Sequence, residues 1–143
     1  MRAMRRFLLF VLLIGCEPNR RMQVEDFVRG LQDIHEWHPM RQGAGFYAYD
    51  EMIRLWEEAA PVLIEHLSDD TPTKIMEFAP ITVPTVGDVC FHILLLIFNL
   101  KPEAFREEGV VVLPEIGNPI FAVRFDAGAR QRVQDRFSKM QPK

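Results

Sequence analysis

Few residues in this chain are placed to do chemistry. Four histidines and two cysteines are spread over 143 residues, and the tightest grouping is His35-Glu36-Trp37-His38. It falls one residue short of His-Glu-x-x-His, in which a spacing of four sets both imidazoles on one helix face with a glutamate beside them. A spacing of three still lets two rings converge on one ion. His35 and His38 are therefore the candidate metal ligands, against the plainer reading of two partly exposed histidines at a helix end. Cys90 and His92 suggest a thiol with its base, but side chains two apart on a helix point to different faces. The only serines, Ser68 and Ser138, do not sit in the Gly-x-Ser-x-Gly turn that exposes a nucleophile. Glu57-Glu58 would diverge on a helix, and Asp69-Asp70 in a turn would serve the backbone before it served as acid and base. Gly43 and Gly45 lack the third glycine and the preceding strand of a dinucleotide loop. No catalytic residue and no cofactor is assigned. The alternative is a small metal-dependent hydrolase built on His35 and His38.

Cys16 stands in a different context. Arg2, Arg5 and Arg6 precede an apolar run over residues 7–14, then Gly15 and Cys16, with no acidic residue before Glu17. A charged start, a short apolar stretch and a small residue at a cleavage point read as a secretory signal. The run is too short for a bilayer span, which needs about 20 residues. Leu13-Ile14-Gly15-Cys16 resembles the bacterial lipobox. That resemblance implies that residues 1–15 are a signal peptide and that Cys16 is lipidated and becomes the first mature residue. Residues 16–23 are then a lipidated tether and 24–143 one helical domain. Each buried methylene contributes about 0.8 kcal/mol, so several acyl chains on Cys16 would hold the protein to a membrane. No aspartate follows the cysteine. The resemblance thus implies a cell-envelope lipoprotein, at the outer membrane facing the periplasm rather than at the inner one. An ordinary secretory signal or an N-terminal core strand are the competing readings of the segment.

Composition narrows the partners. The chain carries 17 basic and 20 acidic residues, net −3. Without the three leader arginines it has 14 against 20, net −6, which gives no footprint for nucleic acid. Residues 17–70 hold 12 acidic and 5 basic residues, whereas 71–143 hold 8 and 9. A cationic partner would therefore meet the first half. With Cys16 lipidated, Cys90 has no partner for a disulfide, and apolar packing must carry stability. Free cysteine in an apolar run is expected to be buried.

The elements that position these residues follow from periodicity. Val24, Phe27, Val28, Leu31 and Ile34 recur at helical spacing and predict a helix ending near Trp37. Pro39, Gly43 and Gly45 mark a loop. Asp50 can cap a second helix with Met52, Ile53 and Trp56. Because proline is tolerated at the first helical position and not inside, Pro61 predicts a new helix starting there. Thr85 and Asp88 form a variant capping box ahead of residues 86–100, which are apolar on nearly every side. The longest uncharged stretch there, 89–100, is too short to span a membrane and predicts a core helix. Residues 110–113 and 120–125, separated by Pro114, Gly117, Asn118 and Pro119, predict a hairpin. Asp126 can cap a last helix with Val133, Phe137 and Met140 inward and Arg130, Arg132, Arg136 and Lys139 in water. The expected fold class is mainly α, a small helical domain with one β-hairpin near the C-terminus.

Residues 50–100 also resemble a HEAT-type helical repeat, through Pro61-Val62-Leu63-Ile64-Glu65-His66-Leu67 and the helix-opening Val86-Gly87-Asp88-Val89. The connection over 69–84 is longer than that family's, and no second copy is visible, although solenoids need about three repeats. The resemblance implies a HEAT-like scaffold for protein contacts and no chemistry. Loops longer than about 12 to 15 residues are frequently functional, and proline lowers the entropy lost on fixing them. Asp69, Asp70, Thr71, Thr73 and Lys74 are therefore the candidate partner-binding loop. Ile75, Met76 and Phe78 favour the competing reading, in which the loop packs on the core. The functional expectation is a membrane-anchored, non-enzymatic domain that binds a protein or envelope component. A purely structural envelope lipoprotein is the remaining alternative.

Overall fold

Val24, Val28 and Leu31 fall on one face at helical spacing, and all three are buried along a helix, α1 (Arg20–Gly30), that runs into a 3-10 turn at Leu31–Asp33. The computed structural model describes residues 20–33, 56–75, 83–113 and 119–140. Helix α1 starts at Arg20, upstream of the apolar stripe and within the segment read as a tether. Arg21 ties this turn in two directions: its Nε donates to Glu25 one turn on at 2.9 Å, and its NH2 donates to Glu65 at 2.8 Å.

Glu65 closes the second helix, α2 (Trp56–Glu65), which contains Pro61 in its interior. The expectation of a new helix beginning at Pro61 is therefore corrected to one continuous helix. An internal proline costs about 3 kcal/mol. Around it Ala59, Ala60, Val62, Leu63 and Ile64 are all buried, and full burial of one large aliphatic side chain contributes about 1.5–3 kcal/mol. Packing on several sides outweighs the lost hydrogen bond. The Asp50 cap lies outside the described residues.

Helix α3 (Val86–Ile97) forms the centre, with nine of its residues from Val86 to Leu95 buried. The capping box is present in both directions: Thr85 Oγ1 accepts from the Asp88 N–H at 3.2 Å, and Asp88 Oδ2 accepts from the Thr85 N–H at 2.8 Å. The helix ends earlier than residue 100. Asn99 takes φ 51°, its N–H donates to the Leu96 carbonyl at 3.1 Å, and the Leu100 N–H reaches the Leu95 carbonyl at 2.7 Å. This is the paired C-terminal closure in which asparagine replaces the usual glycine. Among the described residues no helix is long and apolar enough to cross a membrane.

After a 3-10 turn at Pro102–Phe105 come β1 (Val110–Val112) and β2 (Val123–Phe125). They pair antiparallel with Val110 opposite Phe125 and Val112 opposite Val123. The hairpin is as expected, but its second strand is shorter. Residues Pro119–Ala122 form a helical turn, α4, ahead of it. Helix α5 (Ala129–Met140) buries Ala129, Val133 and Phe137. Phe91 of α3 meets Phe105, Phe125 and Phe137 edge to face, with centroids 5.6, 5.1 and 6.2 Å away. Three details of α5 differ from expectation. Met140 is exposed, while Arg130 and Arg136 are partly buried and ion-paired to Asp88 and Glu108 at 2.7 and 2.9 Å. Their guanidinium carbons also lie 4.4 Å from the Phe125 centroid and 4.6 Å from the Phe105 centroid, so both arginines pack as well as pair. The fold is mainly α with one small hairpin near the C-terminus.

Candidate functional site

The candidate loop leaves α2 through a polar turn. Beyond Glu65 the chain turns over residues 66–68, and the Asp69 N–H donates to the His66 carbonyl at 3.0 Å. Asp69 then works at both carboxylate oxygens. Oδ1 accepts from the Thr71 N–H at 3.0 Å, and Oδ2 stands 3.3 Å from His66 Nδ1. Partial burial raises the Asp69 carboxyl, but the hydrogen bonds from Thr71 and the neighbouring His66 imidazole outweigh it and hold the group below its ordinary value. Aspartate in this position fixes a turn by replacing a backbone acceptor.

From there the two ends of the loop are zipped together. Gly87 N–H donates to the Asp69 carbonyl and Val86 N–H to the Thr71 carbonyl, each at 2.9 Å, and Thr73 N–H donates to the Pro84 carbonyl at 2.9 Å. Pro72 and Thr85 form an antiparallel bridge between these bonds. Thr73, expected to face a partner, is instead buried. Its hydroxyl donates to the Pro84 carbonyl at 2.8 Å and accepts from the Ile75 N–H at 3.3 Å. Ile75 is fully buried. Thr73 and Ile75 thus pack inward, and Asp70, Thr71 and Lys74 remain exposed, while Met76 and Phe78 lie outside the described residues. Lys74 Nζ pairs with Asp33 Oδ1, tying the stem to the end of α1.

Between that stem and α1 lies an open cleft of about 280 Å³, lined by Val28, Arg29, Gln32, His66, Asp69, Thr71 and Val86. Val28 and Val86 are buried and make an apolar floor, while Arg29, Gln32 and Thr71 are exposed at the rim. Of the expected loop residues, Asp69 and Thr71 line this cleft. Arg29, Gln32 and His66 were missed, because α1 reads as an ordinary amphipathic helix and nothing in its spacing says that its polar end faces residue 71.

Among the described residues, Cys90 and His92 do not line this cleft. Cys90 is a free, fully buried thiol, pushed above its ordinary value mainly by burial. His92 is buried with Nε2 lacking a hydrogen-bond partner among the described residues. Burial pushes its imidazole down to about 4, against a smaller opposing effect of Asp88. A thiol held protonated is a poor nucleophile. Among the described residues no three His, Cys, Asp or Glu side chains converge to hold a metal ion. Cys16, His35, His38, Gly43 and Gly45 lie outside the described residues. No protein-family model, curated protein or solved structure matches this chain.

Proposed function

We propose that this chain is a membrane-anchored envelope lipoprotein whose helical domain binds another protein or an envelope component without catalysis. The observation that carries the reading is the closed stem. Asp70, Thr71 and Lys74 are solvent-exposed on a segment pinned by backbone bonds to Val86 and Gly87, beside an open cleft with an apolar floor. A surface that is already ordered loses little conformational entropy on binding. Attachment to the membrane comes from the lipobox resemblance at Cys16.

Charge reversal tests the binding reading. Asp70→Lys alters an exposed group, and surface changes of this kind usually move stability by less than about 0.5 kcal/mol, whereas Lys74→Glu also breaks the exposed pair with Asp33, at a cost of up to about 1 kcal/mol. Capture of envelope components by the mature chain should fail in both variants, with Tm unchanged in Asp70→Lys and only slightly lowered in Lys74→Glu. Unchanged capture, or a loss that tracks unfolding, removes this loop as the site. The anchor is tested separately. Cys16→Ser should leave an uncut precursor that incorporates no labelled fatty acid, and efficient cleavage with membrane attachment intact would overturn it.

A further inference from the structure

Arg130 belongs to α5, a helix that contributes nothing to the lining of the cleft, yet its guanidinium reaches the stem from behind. NH1 donates to the Leu67 carbonyl at 2.9 Å, and NH2 donates to Asp88 Oδ1 at 2.7 Å and, more weakly, to Thr85 Oγ1 at 3.4 Å. Leu67 adjoins His66 in the turn, and Thr85 is paired with Pro72 across the stem. One planar fork thus holds the outgoing and the returning strand of the loop. Phe125 backs the guanidinium, its centroid 4.4 Å from Cζ. Gly87 shows how tightly the parts fit. A Cβ there would stand 2.4 Å from the Leu67 carbonyl oxygen, 2.8 Å from Arg130 NH1 and 2.9 Å from the Asp69 carbonyl oxygen, so only glycine leaves room for the fork.

We infer that Arg130 is the positioning residue of the cleft: its two-pronged grip on Leu67 and Asp88 sets where His66, Asp69, Thr71 and Val86 stand. The inference rests on the cleft and loop being the binding face. Lysine cannot replace this grip, because an ammonium is a point charge and a guanidinium is a rigid fork.

Hydrogen exchange followed by NMR on the full chain tests it without a ligand. The reporters are the stem amides of Thr73, Val86 and Gly87 and the ring resonances of His66. Loss of a hydrogen bond to a charged group corresponds to about tenfold or more in a local equilibrium. Arg130→Gln should therefore speed exchange at the three stem amides about tenfold relative to Leu94 in α3, and should move the His66 resonances. Arg130→Lys should fall between the two. Arg136→Gln, which removes a similar grip on Ala104 and Glu108, should leave the three stem amides in step with Leu94. Arg130→Lys leaves the Asp88–Thr85 cap untouched and serves if Arg130→Gln fails to fold. Stem amides that follow Leu94, or a matching stem effect from Arg136→Gln, would overturn the assignment. Stem loosening in Arg130→Gln alongside unchanged capture by the Asp70 and Lys74 reversals would leave Arg130 as the positioning residue and remove the binding reading.

Discussion

His92 is a histidine that the fold takes almost wholly out of water. It sits in the central helix with a buried Nε2 that has no hydrogen-bond partner among the described residues, and burial holds its imidazole at about 4, against about 6.5 in an unfolded chain. Between those pH values the unfolded chain binds a proton that the folded chain refuses. Stability therefore rises with pH across this window and is lost as pH falls from about 6.5 toward 4, by an amount on the order of 3 kcal/mol. Replacing an unpartnered buried polar group by an apolar one of similar size is close to neutral or stabilising. His92→Leu should thus unfold at the same or a higher urea concentration at pH 7, and its midpoint should fall less than the parent's between pH 7 and 5. Parallel curves for the two proteins would show that the ring is not held neutral by the fold.

At the scale of elements, Asp88 serves two structures at once. It completes the capping box with Thr85 and accepts the charged fork of Arg130. Thr85→Ala should cost about 1 kcal/mol, as cap removals do. Asp88→Ala should cost more, because it also leaves a partly buried guanidinium without its counter-charge. Equal costs in denaturant titrations would mean that the ion pair adds nothing to the cap. The cap itself was legible in the sequence because Thr85 and Asp88 are three residues apart and act locally. The buried central helix was equally legible, through apolar side chains on every face. Its true end was not, since Asn99 adopts a left-handed backbone that asparagine merely tolerates. Pro61 misled for a related reason: a local rule against proline inside helices lost to burial on both sides of it, which depends on partners far along the chain. The same holds for the cleft. Asp69 and Thr71 drew notice as part of a long loop, but Arg29 and Gln32 face them only through tertiary packing, and Arg130 read as one more wet arginine on an amphipathic helix.

For the whole molecule, the last helix is the closing piece. Phe137 of α5 packs on Phe105 with centroids 4.7 Å apart, and Val133 is fully buried beside it in the core. Three arginines of the same helix reach back to carbonyls laid down earlier: Arg130 to Leu67, Arg132 to Glu108 and Arg136 to Ala104. A chain stopped after residue 128 should therefore show no cooperative thermal transition and should expose apolar surface to dye, although it keeps α1 to α3. A sharp transition in that truncation would mean that the earlier elements close a core by themselves.

A ribosome delivers Ala129–Met140 after everything it must grip. Until those residues emerge, the Leu67 and Ala104 carbonyls and Asp88 Oδ1 lack the arginines that bind them, and the aromatic cluster lacks the Phe137 ring. The described core therefore stays open until this segment emerges, and the order of synthesis sets the order in which its parts can close.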